Sequence, residues 1–123
     1  MLNSIRAALL LLVLPFGSAL AHEMTPTYPK FSESFMSGIS VATLNIFNKR
    51  KDVSYYEIGV FTKEWKPVAF VSQYKVIPMK YLDTLSFDLY VNNSSLHTVV
   101  YICSISKLGA GSTVASKICS RVK

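Results

Sequence analysis

Thr84-Leu85-Ser86-Phe87-Asp88-Leu89-Tyr90-Val91 alternates without a break. Leu85, Phe87, Leu89 and Val91 fall on one face, and Thr84, Ser86, Asp88 and Tyr90 on the other. A period of two is the signature of a strand with one face in a core and one in water. The residues on either side continue the theme. Val, Ile, Thr, Tyr and Phe are abundant, turn-forming residues recur at short spacing, and no segment after residue 21 carries a helical period. This combination predicts an all-β sandwich or barrel.

Working outward, a first strand is expected near Tyr28 to Ser34, loosened by Pro26 and Pro29. The second spans about Gly38 to Asn48 and ends in the polar turn Asn48-Lys49-Arg50-Lys51-Asp52. The third covers Val53 to Thr62, and Lys63-Glu64-Trp65-Lys66-Pro67 turns the chain. A short strand follows at Val68 to Ser72, with a continuation through Lys75 to Ile77 before Pro78. After the alternating segment, Asn92-Asn93-Ser94-Ser95 reads as a turn. Thr98 to Lys107 and Thr113 to Val122 are then the last two strands, joined through Gly109-Ala110-Gly111. About seven antiparallel strands in some 100 residues suggest a two-sheet sandwich of immunoglobulin type.

The N-terminus carries a different signal. Arg6 precedes the apolar run Ala7 to Leu14, Pro15-Phe16-Gly17 breaks it, and Ser18-Ala19-Leu20-Ala21 offers a small-residue cleavage site. This is the order of a secretory signal peptide, and the run is too short for the roughly 20 apolar residues of a membrane span. The alternative is retention of the segment as an anchor. Cleavage after Ala21 leaves His22 to Lys123, a single domain of 102 residues with 12 Lys and Arg against 7 Asp and Glu, a formal +5. Localisation is then periplasmic or secreted, with no stable membrane span. Such a charge attracts acidic partners or surfaces. Nucleic acid is not expected: the cations are scattered, and their one cluster, Lys49-Arg50-Lys51, sits in a turn.

Export also places the two cysteines in an oxidising compartment. A hairpin centred on Gly111 pairs residues whose numbers total 222, and Cys103 and Cys119 satisfy that condition, so the two should oppose each other and form a disulfide. Two buried free thiols are the alternative. Tyr101-Ile102-Cys103 echoes the Tyr-x-Cys of an immunoglobulin strand, yet the second strand has no cysteine and Trp65 falls in a turn. The sandwich therefore lies outside the antibody superfamily.

The segments Gly38-Ile39-Ser40-Val41-Ala42-Thr43-Leu44-Asn45-Ile46-Phe47-Asn48, Tyr55 to Phe61, Pro67-Val68-Ala69-Phe70-Val71-Ser72 and Val76-Ile77-Pro78 followed by Leu85 to Tyr90 stand in a telling order. From Thr27 to Val122 the chain resembles the N-terminal domain of the PapD-like periplasmic pilus-assembly chaperones. It departs from that family in Gln73-Tyr74, where Pro-Pro is usual, and in Asp88, where a cation is common. The resemblance implies a non-enzymatic domain that binds a protein partner by β-strand addition through its last strand. It also implies that a basic residue on the first strand, here Lys30, and one at the end of the last, here Arg121 or Lys123, grip a partner's terminal carboxylate.

On the last strand Val114, Ser116, Ile118, Ser120 and Val122 share one face. Val114 and Ile118 either seat in partner pockets or fill the domain's own core. Val114, Ser116, Ile118, Arg121, Lys123 and Lys30 are thus the candidate partner-binding residues. Tyr55, Tyr56, Trp65, Tyr74 and Tyr81 either form an exposed aromatic patch or divide between core and turn packing.

No enzyme pattern is present. The seven acidic residues form no recognisable pair, and there is no nucleophile elbow, phosphate loop or H-E-x-x-H. No cofactor is expected. Two alternative functions remain. One is a structural or host-surface interaction module of a virus or cell envelope. The other is a periplasmic copper carrier, in which His22, as a free N-terminus, and His97 would supply imidazole nitrogens.

Overall fold

The computed structural model describes residues 21–109 and 114–122. The expected leader up to residue 20, the hairpin centre Gly111 and the candidate Lys123 lie outside the described residues. Nine strands are present: β1 (Glu23–Thr25), β2 (Ser32–Glu33), β3 (Ile39–Phe47), β4 (Tyr55–Phe61), β5 (Val71–Ser72), β6 (Val76–Pro78), β7 (Thr84–Asn92), β8 (Tyr101–Ser106) and β9 (Lys117–Arg121). They form two antiparallel sheets. One has the order β1-β3-β7-β5 with β2 also paired to β3, and the other the order β6-β4-β8-β9. This is an immunoglobulin-like sandwich, as the sequence predicts. The expected turn after β7 is instead a single helical turn, α1 (Asn93–Leu96), capped by the Asn92 side chain. Among the described residues no helix is long and apolar enough to cross a membrane.

The alternation of Thr84 to Val91 sets the first sheet. β7 pairs with β3 over nine residues, from Ile39↔Asn92 to Phe47↔Thr84. Ala42, Leu44 and Ile46 thereby lie beside Leu89, Phe87 and Leu85 on the inner face. The second sheet answers with Tyr56, Ile58 and Val60 of β4, Ile77 of β6 and Ile102 of β8. Each large apolar side chain fully withdrawn from water contributes about 1.5–3 kcal/mol.

The first strand differs from expectation. It was placed at Tyr28 to Ser34, but the chain pairs with β3 in two separate pieces, Glu23–Thr25 and Ser32–Glu33. Pro26 and Pro29 explain the break, since neither can donate a ladder hydrogen bond. Between the pieces the chain leans onto the other sheet. The Pro26 carbonyl accepts from Ser120 Oγ at 2.8 Å and the Thr27 carbonyl from the Arg121 amide at 3.0 Å. Lys30 therefore lies between strands rather than on one.

One end of the sandwich is closed by polar groups. Asn48 is fully buried. Its side-chain amide donates to the carbonyls of Val53 (2.9 Å) and Lys80 (3.2 Å), while its side-chain oxygen accepts from the Arg50 amide and the Tyr56 hydroxyl. Its backbone joins the Leu82–Asp83 turn in both directions. A buried amide with this many partners incurs little unsatisfied desolvation. It also fixes the β3–β4 turn against the β6–β7 turn.

Phe87, 1 % exposed, tests the core. Phe87→Ala should cost about 3–5 kcal/mol, a large fraction of the stability of a domain this size. Thr84→Ala on the outer face of the same strand should change little. Urea unfolding followed by circular dichroism checks both.

Candidate functional site

The candidate site is the last strand and what surrounds it. β8 and β9 pair as Tyr101↔Arg121, Ile102↔Ser120, Cys103↔Cys119, Ser104↔Ile118 and Ile105↔Lys117. This is the register expected from symmetry about residue 111. Cys103 and Cys119 form a disulfide with Cα atoms 4.1 Å apart. So close an approach belongs to the non-hydrogen-bonded pairs of an antiparallel ladder.

That placement decides where the backbone groups of β9 point. The Val122 amide donates to the Val100 carbonyl at 2.8 Å, the Ser106 amide to the Ser116 carbonyl at 2.9 Å, and the Ser116 amide to Ser106 Oγ at 2.7 Å. Residues 116, 118, 120 and 122 thus face β8, and 117, 119 and 121 turn their N–H and C=O to the open side. The Arg121 amide is taken by Thr27. For the amides of Lys117 and Cys119 no partner is found among the described residues. Among the described residues the sheet is therefore open beside Lys117 and Cys119 and closed beside Arg121.

The side chains follow the same parity. Ile118 and Val122 pack against the core and Ser120 is buried, whereas Val114 is 63 % exposed. Of the two roles open to the apolar face, filling the domain's own core takes Ile118 and Val122. The strand is also shorter than expected, beginning at Lys117 rather than Thr113. Ser116 is held inward, its hydroxyl 3.0 Å from His22 Nδ1.

On the outer face Lys117 is fixed by aromatic rings rather than carboxylates. Its Nζ lies 4.2 Å from the Trp65 ring centroid and 5.3 Å from that of Phe61. Trp65 stacks on Tyr101 with centroids 4.1 Å apart and planes 1° from parallel. Two local features allow this. Trp65 adopts a left-handed backbone, φ 63°, at the end of the Thr62–Lys66 turn. Position 59 has no side chain, and a Cβ there would come within 2.6 Å of the Phe61 ring. The cation–π contacts hold an ammonium beside the open edge at a cost lower than burying it unpaired. The sequence signals this cluster weakly, because Trp65 reads only as a turn residue.

His22 is not poised as a metal ligand. It is 2 % exposed. Its Nε2 lies 2.7 Å from Ser104 Oγ and 3.1 Å from the Ser104 carbonyl, and its ring sits 4.4 Å from that of Tyr56. His97 caps the far end of α1, beside the Ile39↔Asn92 pair, while His22 precedes the Glu23↔Phe47 pair. Nine residues of β3 separate the two ends, roughly 26 Å at the usual strand rise. The two-histidine copper arrangement is therefore not assembled. No cluster of three or more His, Cys, Asp or Glu suited to a metal stands among the described residues.

Burial lowers the His22 pKa from 6.5 to about 4, with the Arg50 charge pushing the same way and the bond to Ser104 opposing. Burial likewise pushes the Tyr56 phenol up to about 12. Arg50 links this core to the strand, donating to the Val114 carbonyl at 2.6 Å and pairing with Asp52. The bond from Arg50 holds the Asp52 carboxyl below its usual range.

Lys30 and the end of the last strand do come together. Pro29, Lys30, Phe31, Leu96 and Val122 line one shallow recess of about 310 Å³ at the α1 end of the sandwich. Of the expected aromatic patch, Tyr55, Trp65, Tyr74 and Tyr81 are exposed, but Tyr56 is fully buried in the core. Tyr55 and Tyr56 are adjacent in a strand, so only one of them faces outward and the other packs in the core.

The sequence matches no protein-family model and no curated protein. Among solved structures the chain is similar to the crystal structure of the periplasmic chaperone SfaE, with a TM-score of 0.56 and 13% identity over 80% of this chain and 54% of that one. The likeness is one of fold. The chain spans about half the length of that chaperone.

The buried histidine makes stability pH-dependent. The folded domain holds His22 neutral down to about pH 4, while the unfolded chain takes up a proton below about 6.5. Stability should therefore fall as pH drops from about 6.5 to 4, by up to roughly 3 kcal/mol, with no further loss from this group below that window. Urea midpoints across the range should show the slope. His22→Gln, which cannot titrate, should flatten it.

Proposed function

We propose that this domain is an exported, non-enzymatic protein-binding module that works as the pilus-assembly chaperones do, by adding the open edge of its last strand to a strand of its partner. One observation carries the reading: the outward backbone groups of Lys117 and Cys119, which have no partner among the described residues, stand at the margin of a complete sheet. An edge of this kind is a template for another chain. Two further features support it. The sandwich shares its fold with a periplasmic chaperone. The disulfide across β8 and β9 suits an oxidising compartment outside the cytoplasm and stiffens the edge before a partner arrives, which lowers the ordering cost of binding.

Specificity comes from the flanks. Lys117 and Arg121 line the outer side of the edge and deter pairing with a second basic copy, while they favour an acidic partner segment. At the other end of the strand, Lys30 and Val122 meet in the recess beside α1. There an ammonium beside an apolar wall suits a chain end, its carboxylate on Lys30 and its last side chain against Phe31 and Leu96. The grip is weaker than a two-cation clamp unless Arg121 or Lys123 joins it. Val114, exposed ahead of the strand, is the one apolar residue of the alternating face free to enter a partner pocket.

Proline separates the two sides of β9. At position 117 it removes an outward donor that no described residue accepts from, a location where sheets tolerate proline. Lys117→Pro should fold, keep its disulfide and lose partner recovery from the native envelope by tenfold or more, while Lys117→Ala, which keeps the amide, should recover most of it. Ser116→Pro removes the donor to Ser106 and should loosen the hairpin itself. Full recovery by a folded Lys117→Pro protein would contradict strand pairing.

A further inference from the structure

A second surface lies at the opposite end of the sandwich from Lys30, across β4 and β8 from the open edge, and it is independent of the strand-pairing reading. Lys51, Val53, Ser54, Tyr55, Pro78, Met79, Lys80, Tyr81 and Asp83 enclose a recess of about 350 Å³ between the β3–β4 and β6–β7 turns. Its charges are unevenly neutralised. Of the three consecutive cations in the β3–β4 turn, Lys49 pairs with Glu23 and Arg50 with Asp52. Lys51 has no carboxylate partner among the described residues, and its ammonium rests 5.2 Å from the Tyr81 ring centroid. Lys80, on the facing turn, also has none. The one acid in the lining, Asp83, has a carboxylate oxygen already accepting from the Lys80 amide at 3.0 Å.

The walls supply rings and ammonium groups rather than free main chain. Tyr55 is 52 % and Tyr81 43 % exposed. The backbone donors of the rim are largely consumed within the fold: the Met79 amide donates to Ser54, Leu82 to Asn48, Asp83 to Lys80, and Lys80 to the Asp83 carboxylate. Pro78 has no amide to offer. A peptide that binds through its backbone therefore finds few donors here. A ligand that lays a C–H face on a tyrosine ring and presents an acid to two ammonium groups finds both. The recess is also held in shape, because Asn48 ties its two turns together from beneath.

We infer that this recess binds an acidic saccharide, with Tyr55 as the stacking platform, Lys51 and Lys80 pairing with the sugar's carboxylate, and the hydroxyls of Ser54 and Tyr81 meeting its ring oxygens. Exposed lysines bind acids weakly one at a time. Two lysines on the facing turns of one recess, beside an aromatic wall, supply discrimination that net charge alone does not.

The test uses the whole exported chain and three probes of matched length: trigalacturonate, maltotriose and triglutamate. Titration followed by NMR should shift signals of Lys51, Tyr55, Lys80 and Tyr81 with trigalacturonate, and much less with the neutral or the peptide probe. Lys51→Ala/Lys80→Ala should weaken trigalacturonate binding tenfold or more. Lys63→Ala/Lys66→Ala, an equal loss of charge on the turn beside Trp65, should leave binding within twofold. Equal response to maltotriose would remove the role of the acid. Equal response to triglutamate would replace the saccharide with an acidic peptide. Unchanged binding by the Lys51/Lys80 variant, or no shift with any probe, would overturn the assignment.

Discussion

The parity of the β8–β9 ladder decides which backbone groups of the last strand face β8 and which face outward. The disulfide sits at a non-hydrogen-bonded pair, so every second residue from 116 to 122 spends its backbone on β8 and the others face outward. A slip of one residue would reverse this, burying Lys117 and Arg121 and turning Ile118 and Val122 to water. The cross-link forbids that slip. The same parity packs Ile118 and Val122 against the core and leaves Val114 as the exposed apolar residue of that face. In the proposed mode of binding, recognition along β9 rests on main-chain pairing flanked by cations.

The closed end of the edge follows from the first strand. Pro26 and Pro29 break its pairing with β3, and the freed segment caps Arg121 through Thr27. Two prolines near the N-terminus thus set how much of the last strand is left open. At the other end the buried His22 and Ser104, with the half-buried Ser116 and Arg50, hold the approach to β9. Among the described residues the strand is anchored at both ends and open between them, beside the Lys117–Trp65 contact.

The fold was largely legible because period-two alternation and turn chemistry are local signals. Thr84 to Val91 showed its inner face residue by residue, and the hairpin arithmetic located the disulfide. What escaped depends on contacts distant in sequence. Tyr55 and Tyr56 read alike until the register of β4 buries one of them. The burial of His22 has no local signal, because it comes from Ser104 and Ser116, more than 80 residues away. The split first strand was suggested by its prolines, but its boundaries depend on what β3 and β9 offer it. On the last strand, the choice between core and partner could not be made from alternation alone, since both roles require the same pattern.

Hydrogen exchange resolved at single amides, on the free protein and on the complex recovered from its native envelope, addresses the central claim most directly. In the free protein the amides of Ile118, Ser120 and Val122 should exchange slowly and those of Lys117 and Cys119 quickly. In the complex Lys117 and Cys119 should become protected while the β8-facing amides change little. Slow exchange at Lys117 and Cys119 before binding, or no gain in their protection after it, would contradict recognition through the open edge of β9.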